Sequence, residues 1–563
     1  MAVSKCKRLA SGRGTGYPFR AMTRSAAGVH PPWFDPAMPA PADCVLKHLL
    51  DTRTARHPDR RAALFDDGVE WTYAECRARV RETAAALQSL GVRKGDRVVA
   101  WLPNGRAMVT AWFAINYLGA VFVPLNTAYR GRMLEHVLNL AQAKLVLAHG
   151  ELIERLAGLD LRHVERVVAF GTTPRIDARF AVLGQSALAT TAPLDDGAAI
   201  DPWDIQSIIY TSGTTGQSKG VLSPYLQLYT TAVVVYGYLR EGETILVNLP
   251  MFHVGGTSAL YCALVRSGSC FVVDGFDTRQ FWAQVRRGTC ASTSGLIGVM
   301  GAFLAKAPPS ESDRDNPLRC LTMFPVNRET VALAERFGFD YVTGFNMTEV
   351  SAPLVTGLNS RVLGGCGRAR TGVECRIVDE HDIEVPAGSV GELIVRSALP
   401  WTMNAGYAGM PEASAAAWRN GWFHTGDGFR RDADGNYFFV DRMKDTIRRR
   451  GENISSFEVE AAVCSHPDVD ETVAVGVASE SGEQEVLVAV CAKAGRRIDP
   501  RALVEFLIPR LAYFMVPRYV RIVEQIPKTE TNKARKVVFR EQGVTPDTWD
   551  REREGLTLHR ERL

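Results

Sequence analysis

Apolar and polar residues follow one another along most of the chain in alternating helical and strand-like patterns. In ARVRETAAALQSL, Ala78 to Leu90, apolar positions recur every three or four residues up to Gly91, which predicts an amphipathic helix. The apolar run DRVVAWL, Asp96 to Leu102, then predicts a buried strand. The same succession recurs at MLEHVLNLAQA with KLVLAH and at TRQFWAQVRRG with CASTSG. Repeated helix and strand units predict an α/β fold of layered sheets flanked by helices.

The uncharged run Ala107 to Leu125 approaches the length of about 20 residues that spans a bilayer. Asn116 and Gly119 interrupt it. We therefore interpret it as a buried helix ending near Leu118, followed by a buried strand at Val121 to Val123. No integral membrane segment is expected.

The pattern indicates a domain boundary near residues 441–446. Before it, GDGFRRDADGNYFFV predicts a hairpin around the Asp434-Gly435 turn. After it, SSFEVEAAVCSHPDV predicts a capped helix, TVAVGVA a strand and DPRALVEFLIPRL a second helix. We expect a large unit over 42–441 and a smaller C-terminal α/β unit over 445–563.

The first 34 residues contain six Lys or Arg and no Asp or Glu. They include no apolar stretch of the kind that directs secretion. A transit peptide or a basic binding arm is one interpretation, and a translation start upstream of the folded protein, with folding from Met22 or Met38, is the favoured one. In either case residues 1–41 are expected to be a disordered extension.

Composition narrows the class of protein. The chain has 563 residues, 46% of them hydrophobic, with 66 Lys and Arg against 62 Asp and Glu. A net charge of +4 is small for this length, so no nucleic-acid partner is expected. Eleven cysteines without a CxxC pair and eleven histidines without HExxH predict reduced thiols in a cytoplasmic protein and no dedicated zinc or iron site. Any metal is expected to arrive with a nucleotide.

The segment TSGTTGQSKG, Thr211 to Gly220, directly follows the apolar run Ile205 to Tyr210. Its glycines allow backbone N–H groups to approach an anion, its hydroxyls can donate to that anion, and its lysine adds a positive charge. The candidate phosphate-handling residues are Thr211, Ser212, Gly213, Thr214, Thr215, Gly216 and Lys219, with Gly220 behind them. The spacing is not that of a Walker P-loop. A surface loop without a ligand is the alternative.

Six further segments follow in order: LPMFHVGGT at 249–257, FNMTE at 345–349, GELIVR at 391–396, GWFHTGD at 421–427, DRMKDTIRRRGENISSFEVE at 441–460 and PKTETNKARK at 527–536. Together with the loop they resemble the signatures of the adenylate-forming enzymes, the family of acyl-CoA synthetases, luciferases and adenylation domains of peptide synthetases. The resemblance covers roughly residues 45–540. Within the family, the segments look most like bacterial ligases related to crotonobetaine/carnitine-CoA ligase.

The resemblance implies a large N-terminal domain and a small mobile C-terminal lid, with a hinge near 442–444 that includes Lys444. It implies ATP-dependent activation of a small-molecule carboxylic acid through an acyl-adenylate, then transfer to CoA, giving acyl-CoA, AMP and pyrophosphate. Transfer to the phosphopantetheine of a carrier protein is an alternative, as is a nucleotide-binding protein that has lost catalysis. A homodimer is a further possibility.

The resemblance also assigns roles around ATP. Lys219 and the loop hydroxyls would receive pyrophosphate, Phe345 would stack on adenine, and Glu349 would hold Mg²⁺ beside Thr348, a phosphate donor. An isolated Thr-Glu pair is otherwise typical of a helix N-cap. Asp427 would accept hydrogen bonds from the ribose, although the Asp-Gly at 427 and 428 also fits an ordinary turn.

For the remaining positions, the resemblance places Arg442 near ribose and phosphate and gives Lys533 the catalytic contact with the α-phosphate and the attacking carboxylate. A solvated surface charge is the alternative for Arg442, and a merely basic tail is the alternative for Lys533. Gly451 and Glu452 would line the pantetheine tunnel. Arg450, with Arg448 and Arg449, would meet CoA phosphates or form a solvated strand edge.

Several positions bear on the acid. His253 would line or gate the acyl pocket, or pack under the Gly-Gly turn that follows it. No acidic residue lies between Asn248 and Asp274 to hold an α-ammonium group, which disfavours an amino-acid substrate. The sequence departs from the family at MFPV, Met323 to Val326, where bulkier side chains would narrow the site. It also carries Asn346 and Asn532 where the family has glycine, and Asn tolerates left-handed backbone.

Overall fold

The computed structural model describes residues 31–195, 197–211, 218–297, 300–442, 447–449, 452–454, 456–478, 484–511, 515–528, 534–556 and 558. Its first part alternates helices and strands. The helices are α1 Pro41–Cys44, α2 Leu46–Arg56, α3 Tyr73–Ser89, α4 Arg106–Tyr117 and α5 Gly131–Ala141. The strands are β1 Arg61–Phe65, β2 Glu70–Thr72, β3 Arg97–Trp101, β4 Val121–Pro124, β5 Leu145–His149, β6 Arg166–Phe170 and β7 Ala181–Gly184.

The alternation continues through the middle of the chain. Its strands are β8 Ile205–Thr211, β9 Lys219–Pro224, β10 Thr244–Val247, β11 Ser269–Val272, β12 Cys290–Thr293, β13 Leu296–Ile297, β14 Cys320–Phe324, β15 Asp340–Val342 and β16 Gly344–Phe345. Its helices are α6 Tyr225–Tyr236, α7 Val254–Val265, α8 Phe281–Gly288, α9 Met300–Ala305 and α10 Arg328–Phe337.

Strands dominate the next part: β17 Leu354–Val355, β18 Arg368–Ala369, β19 Val373–Val378, β20 Gly391–Ser397, β21 Phe423–Arg431 and β22 Tyr437–Arg442, with helix α11 Pro411–Ala417. The C-terminal part contains β23 Ile447–Arg449, β24 Glu452–Ile454, α12 Ser456–Cys464, β25 Val469–Ala478, β26 Gln484–Ala492, α13 Pro500–Leu507, β27 Tyr519–Ile522, α14 Lys536–Gln542 and β28 Trp549–Asp550.

Two largely parallel sheets build the N-terminal part. One runs in the order β7-β6-β5-β3-β4-β8-β9, and its last pair, β8 and β9, is antiparallel. The other runs β12-β10-β11-β1-β2, with β1 and β2 antiparallel. Helices α3, α4, α6 and α7 share one buried core with strands of both sheets. Burial on both faces explains the unbroken apolar run of β4, in which all four residues are buried.

Two further four-stranded sheets, one antiparallel and one mixed, follow along the chain. Strands β19-β20-β21-β22 form an antiparallel sheet after the large parallel ones. The C-terminal sheet runs β25-β26-β27-β28 and has its own core with α12 and α13. The predicted α/β class, with layered sheets in the large part and a smaller C-terminal α/β part, is confirmed. The mobility of the C-terminal part and the stated domain limits stay predictions.

Several local predictions are also confirmed. The uncharged run contains α4, whose C-cap is Leu118, and then β4, in which all four residues are buried. Strands β21 and β22 pair around the turn that holds Gly435, where φ is +83°. Helix α3 begins earlier than its apolar pattern suggested, at Tyr73, because Thr72 and Glu75 form a reciprocal capping box.

The N-terminal expectation needs correction. Residues 1–30 lie outside the described part of the chain. Within the predicted extension, however, Phe34 is buried and the indole N–H of Trp33 donates to the carbonyl of Val234 at 3.1 Å. The extension predicted through residue 41 therefore includes a segment that packs on the fold, because its two aromatic side chains gain burial that the basic composition concealed.

Candidate active site

Strands β8 and β9 hold the two ends of the predicted phosphate-handling loop together. They pair antiparallel, with Thr211 directly opposite Lys219. The residues Ser212, Gly213, Thr214, Thr215 and Gly216 lie outside the described part of the chain, so their contacts stay a prediction. Gly220 lies inside β9, where a Cβ would be 2.7 Å from Cγ2 of Ile208. Its missing side chain thus serves close packing, whereas the sequence suggested a role in anion approach.

Residues 404–408 run along the free side of β9. Ala405 donates its N–H to the carbonyl of Leu222 at 2.9 Å, and Ala408 donates to that of Gly220 at 2.8 Å. Tyr407 forms an antiparallel bridge with Val221. This pairing fixes the side chain of Tyr407 beside the start of β9.

Tyr407 links a cation and a carboxylate. The Nζ of Lys219 lies 4.7 Å from the centre of its ring, within cation–π range. Its hydroxyl donates to Oε1 of Glu349 at 3.2 Å. The structure therefore brings together Lys219 and Glu349, two site residues that sequence had assigned separately, through a tyrosine that the sequence analysis missed.

Thr348 and Glu349 lie in a buried turn and not in a helix, so the N-cap alternative is wrong. Nε2 of Gln227, on α6, donates to the carbonyl of Thr348 at 3.0 Å. The backbone N–H and side-chain amide of Asn404 both donate to the carbonyl of Glu349, at 3.0 and 2.8 Å. Hydrogen bonds from two separate elements thus hold this turn.

Phe345 ends β16 and meets Phe429 edge to face, with ring centroids 4.9 Å apart. The following residue, Asn346, accepts the N–H of Ala352 at 2.8 Å on its side-chain oxygen and so closes the loop from 345 to 352. Among the described residues, Asn346 is absent from those with positive φ. The change from glycine is therefore accommodated by a side-chain hydrogen bond, whereas we expected left-handed backbone.

Asp427 lies within β21, only 1% exposed and opposite Arg442 of β22, so the ordinary-turn alternative is wrong. Its N–H donates to Oγ1 of Thr425 at 3.1 Å. Burial, with the charge of Asp427 as a smaller contribution, raises the pKa of the neighbouring Cys366 thiol to about 11. The side chain of Arg442 lies outside the described structure.

A histidine–glutamate pair supports this strand. Nδ1 of His424 and Oε2 of Glu392 are 2.9 Å apart, and the N–H of Gly426 donates to Oε1 of Glu392 at 2.8 Å. Glu392 thereby ties β20 to the part of β21 that precedes Asp427. Both residues stand in segments that carried the resemblance, GELIVR and GWFHTGD, but sequence alone gave them no role.

The C-terminal assignments divide into two groups. Lys444, Arg450, Gly451 and Lys533 lie outside the described residues, as does the side chain of Glu452, so their roles stay predictions. Arg449 is corrected: its side chain is 2% exposed and its Nε lies 2.6 Å from Oε2 of Glu485. Because a buried ion pair engages its guanidinium, Arg449 is not a solvated strand edge, and we predict that it does not bind CoA phosphates.

Two residues that bear on the acid are placed as follows. His253 is exposed at the N-cap of α7, where its Nδ1 accepts the N–H of Gly255 at 3.2 Å. It is not among the described residues that line the cleft beside Phe345, and its role at the acyl group stays a prediction. Phe324 of MFPV does line that cleft, while Met323 and Val326 are buried.

Within the described ranges, no cluster of three or more His, Cys, Asp or Glu side chains is arranged to hold a metal ion. None of the helices in the described part of the chain is both long enough and apolar enough to cross a membrane.

Two family models match this chain. Residues 50–407, more than half of the chain, match the family model described as AMP-binding enzyme, and residues 458–533 match the AMP-binding enzyme C-terminal domain. The crotonobetaine/carnitine–CoA ligase of Salmonella paratyphi A is 28% identical over 506 residues, covering 87% of this chain and 97% of the relative.

Solved structures give the same likeness. ATP-bound MatB from Rhodopseudomonas palustris matches with a TM-score of 0.75 at 25% identity, covering 88% of this chain and 98% of that one. A fatty acyl CoA synthetase of Mycobacterium tuberculosis matches with a TM-score of 0.66 at 25% identity, covering 88% and 98%. The likeness to crotonobetaine/carnitine-CoA ligases that the motifs indicated is confirmed.

Proposed function

The chain belongs to the AMP-binding enzyme family, and from this membership we propose that it is an ATP-dependent acid:CoA ligase. A carboxylate oxygen attacks the α-phosphorus of ATP, and the bond to the bridging oxygen breaks to release pyrophosphate. The thiolate of CoA, its proton lost to solvent, then attacks the acyl carbon, and AMP leaves. The products are acyl-CoA, AMP and pyrophosphate.

One observation carries the proposal: Lys219, Tyr407 and Glu349 converge from three separate segments at the start of β9. Phosphoryl transfer needs fixed positive charge near the leaving group. Lys219 supplies it at the end of the loop, and the Tyr407 ring beneath its ammonium restricts where that charge lies. Thr348, in the same turn as Glu349, offers a hydroxyl to phosphate.

The residues fit a magnesium ion that arrives with ATP. Mg²⁺ is usually held by one or two carboxylates together with substrate phosphates, and Glu349 is a buried carboxylate of that kind. When bound, the ion would neutralise phosphate charge and polarise the phosphoryl oxygens.

The nucleoside would bind between β16 and β21. Asp427 is an acceptor-only group when ionised, which suits the two hydroxyl donors of a ribose. Glu392 and His424 position Asp427 through the preceding residues of β21, where the N–H of Gly426 donates to Glu392. Phe345, held edge to face by Phe429, presents an aromatic surface for adenine.

The C-terminal part would supply the remaining groups. Lys533 would contact the α-phosphate and the attacking carboxylate, and rotation about Lys444 would exchange it for a pantetheine tunnel lined by Gly451 and Glu452. Arg450 would meet CoA phosphates. The names of the relatives, which are CoA ligases, and the ATP-bound neighbour support this scheme. A cytoplasmic location and a homodimer also stay predictions.

The test is AMP and pyrophosphate release over a panel of short-chain, branched, aromatic and trimethylammonium-bearing acids, with and without CoA. Lys533→Ala should abolish release, whereas Lys528→Ala, in the same basic segment but paired with Glu471, should not. Equal loss in both variants would favour the basic-tail alternative. If pyrophosphate release depends on an acid but the thioester forms only on a holo-carrier protein, the acceptor is the carrier protein and not CoA. If ATP binds but no acid supports pyrophosphate release, the site is catalytically degenerate.

A further inference from the structure

Beside the turn that carries Thr348 and Glu349 lies a cleft whose space, open solvent included, is about 310 Å³. The loop that contains this turn begins and ends at two residues of the cleft wall, Phe345 and Ala352. An acyl group whose carboxylate faces the phosphates would therefore extend into it.

Trp33 forms one wall of this cleft, and it comes from outside the segment that matches the family, which begins at residue 50. Its indole N–H donates to Val234 on α6, and its carbonyl accepts from Nη2 of Arg266 at 3.2 Å. Its ring meets that of Tyr238 edge to face at 5.7 Å. These three contacts hold the indole in one position.

The end of α6 is shaped to receive this tryptophan. Gly237 is the C-cap of the helix, and a Cβ there would lie 2.6 Å from Cδ1 of Trp33. The next residue along the N-terminal segment, Phe34, is buried and lies 5.2 Å beneath the guanidinium of Arg370. Residues 33 and 34 are therefore anchored on the fold, and Trp33 is a fixed boundary of the cleft.

The lining is uncharged. Among the described residues that form the cleft, every side chain is apolar or a threonine, and the aromatic ones are Trp33, Phe324 and Phe345. The hydroxyl of Thr322 already donates to the carbonyl of Val235 at 2.9 Å, and that of Thr356 donates to the carbonyl of Thr343 at 3.1 Å. With those hydroxyls engaged, the surface that a ligand meets is mainly hydrocarbon and aromatic ring.

We propose that Trp33 is a specificity-determining residue, which closes the acyl cleft and, together with Phe324, restricts the acid to one with a compact, uncharged acyl group. The inference rests on the proposed ligase function. An indole in the path of a longer acyl chain excludes it by steric overlap. A cationic acyl group would lose its hydration on entering the cleft, and no carboxylate among the described lining residues would pair with it. Its binding is therefore disfavoured.

The experiment measures kcat and KM for thioester formation with butanoate, hexanoate, octanoate and decanoate, in the wild type, Trp33→Ala, Trp33→Phe and Trp203→Ala. Trp203 is an exposed tryptophan and gives a matched control. We expect the ratio of kcat/KM for decanoate over butanoate to rise at least about tenfold in Trp33→Ala, as one or more methylenes become accommodated. Trp33→Phe should fall between, and Trp203→Ala should keep the wild-type ratio.

A second comparison tests the charge. The neutral 5,5-dimethylhexanoate and the isosteric cation 4-(trimethylammonio)butanoate differ by one atom at the same position. We expect the neutral acid to be used at least about tenfold better, and a preference for the cation would overturn the uncharged part of the proposal.

The outcomes separate the two levels of inference. The KM for ATP and the thermal midpoint, measured for every variant, show whether folding and the nucleotide site are intact. If the wild type activates acids but the chain-length ratio in both intact Trp33 variants equals that of the wild type, the role of Trp33 is refuted while the ligase stands. If none of the acids supports pyrophosphate release by the wild type, the proposed ligase function is refuted, and this inference is refuted with it.

Discussion

The hydroxyl of Tyr407 donates to Oε1 of Glu349 across 3.2 Å, and through this bond the segment that edges β9 contacts the acidic turn after β16. The same tyrosine carries the ammonium of Lys219 over its ring. A cation and a carboxylate are thereby held on opposite parts of one rigid side chain. These contacts fix two charged groups of the nucleotide half of the proposed site relative to each other, which is the arrangement that electrostatic catalysis favours.

Tyr407→Phe keeps the ring beneath Lys219 and removes the hydrogen bond to Glu349. Hydrogen bonds to charged groups contribute about 1.5–3 kcal/mol, so we expect ATP–pyrophosphate exchange to slow roughly ten- to a hundredfold. Tyr407→Leu should be slower still, because it also loses the cation–π contact. Tyr341→Phe, which removes a hydroxyl bonded to the carbonyl of Ser360, serves as the control and should exchange at the wild-type rate. Exchange at the wild-type rate in Tyr407→Phe would show that the bond is not used.

Glu349→Gln keeps an oxygen that can accept from Tyr407 but removes the charge. If Glu349 holds the magnesium ion, we expect kcat for pyrophosphate release to fall on the order of 10²–10³-fold and the Mg²⁺ concentration for half-maximal rate to rise. Glu335→Gln, which breaks a surface pair with Arg361, should leave both quantities unchanged. A lower rate with an unaltered Mg²⁺ dependence would remove Glu349 from the metal site.

The sequence predicted those parts of the fold that are determined by residues close together in the chain. Helix α4 and strand β4 follow from one apolar run and its break at Gly119, where φ is +69°, and the β21–β22 hairpin follows from its Asp-Gly turn. Pattern and turn chemistry act over a few residues, so a single chain displays them.

The parts that sequence missed depend on distant partners. Arg449 stands in a run of three arginines that looks solvated, and its burial is decided by Glu485 on another strand. Tyr407 has no local signature, since its role comes from pairing with β9 and from Glu349. Trp33 lies in a basic N-terminal segment whose composition favours disorder. Its position depends on packing against Gly237 at the end of α6, about 200 residues away in the sequence, and no local pattern predicts that contact.

Arg370 is a buried guanidinium that stabilises the chain just after the acidic turn. It donates to the carbonyls of Ser351 and Ala352, at 3.2 and 3.1 Å, and burial lowers its pKa to about 10. Arg370→Met leaves these carbonyls without their donor, so we expect about 1–3 kcal/mol of destabilisation in urea unfolding. Arg396→Met, at a surface arginine paired with Glu374, should cost at most about 1 kcal/mol. Equal losses for the two would contradict a special role for the buried site.

The carboxyl of Asp382 predicts a pH-dependent contribution to stability. Burial raises its pKa, but hydrogen bonds from Arg419 and Asn420, with the charges of His424 and Arg419, outweigh burial and leave the pKa below its ordinary value of 3.8. The unfolded chain then binds more protons at this group, so its stabilisation is present above the unfolded pKa and is lost as pH falls through the folded one.

Asp382→Asn should therefore lower the thermal midpoint at pH 7, and the difference from the wild type should shrink as the pH is lowered towards 3. The measurement is a series of thermal unfolding curves between those two values. Asp59→Asn, at an exposed aspartate, should follow the wild type throughout. A difference that is constant with pH, or that grows in acid, would contradict the assigned sign.

Arg449 and Glu485 test whether the arginine run serves CoA or the fold. Their side chains are 2% and 6% exposed, so Arg449→Met leaves a buried carboxylate unpaired, and we expect about 3–5 kcal/mol of destabilisation. The double variant Arg449→Met with Glu485→Met removes both charges, and much of the stability should return because the desolvation cost disappears with the ions. If Arg449 is purely structural, the double variant keeps the wild-type KM for CoA. A KM for CoA raised tenfold in a stably folded double variant would instead return Arg449 to the CoA site.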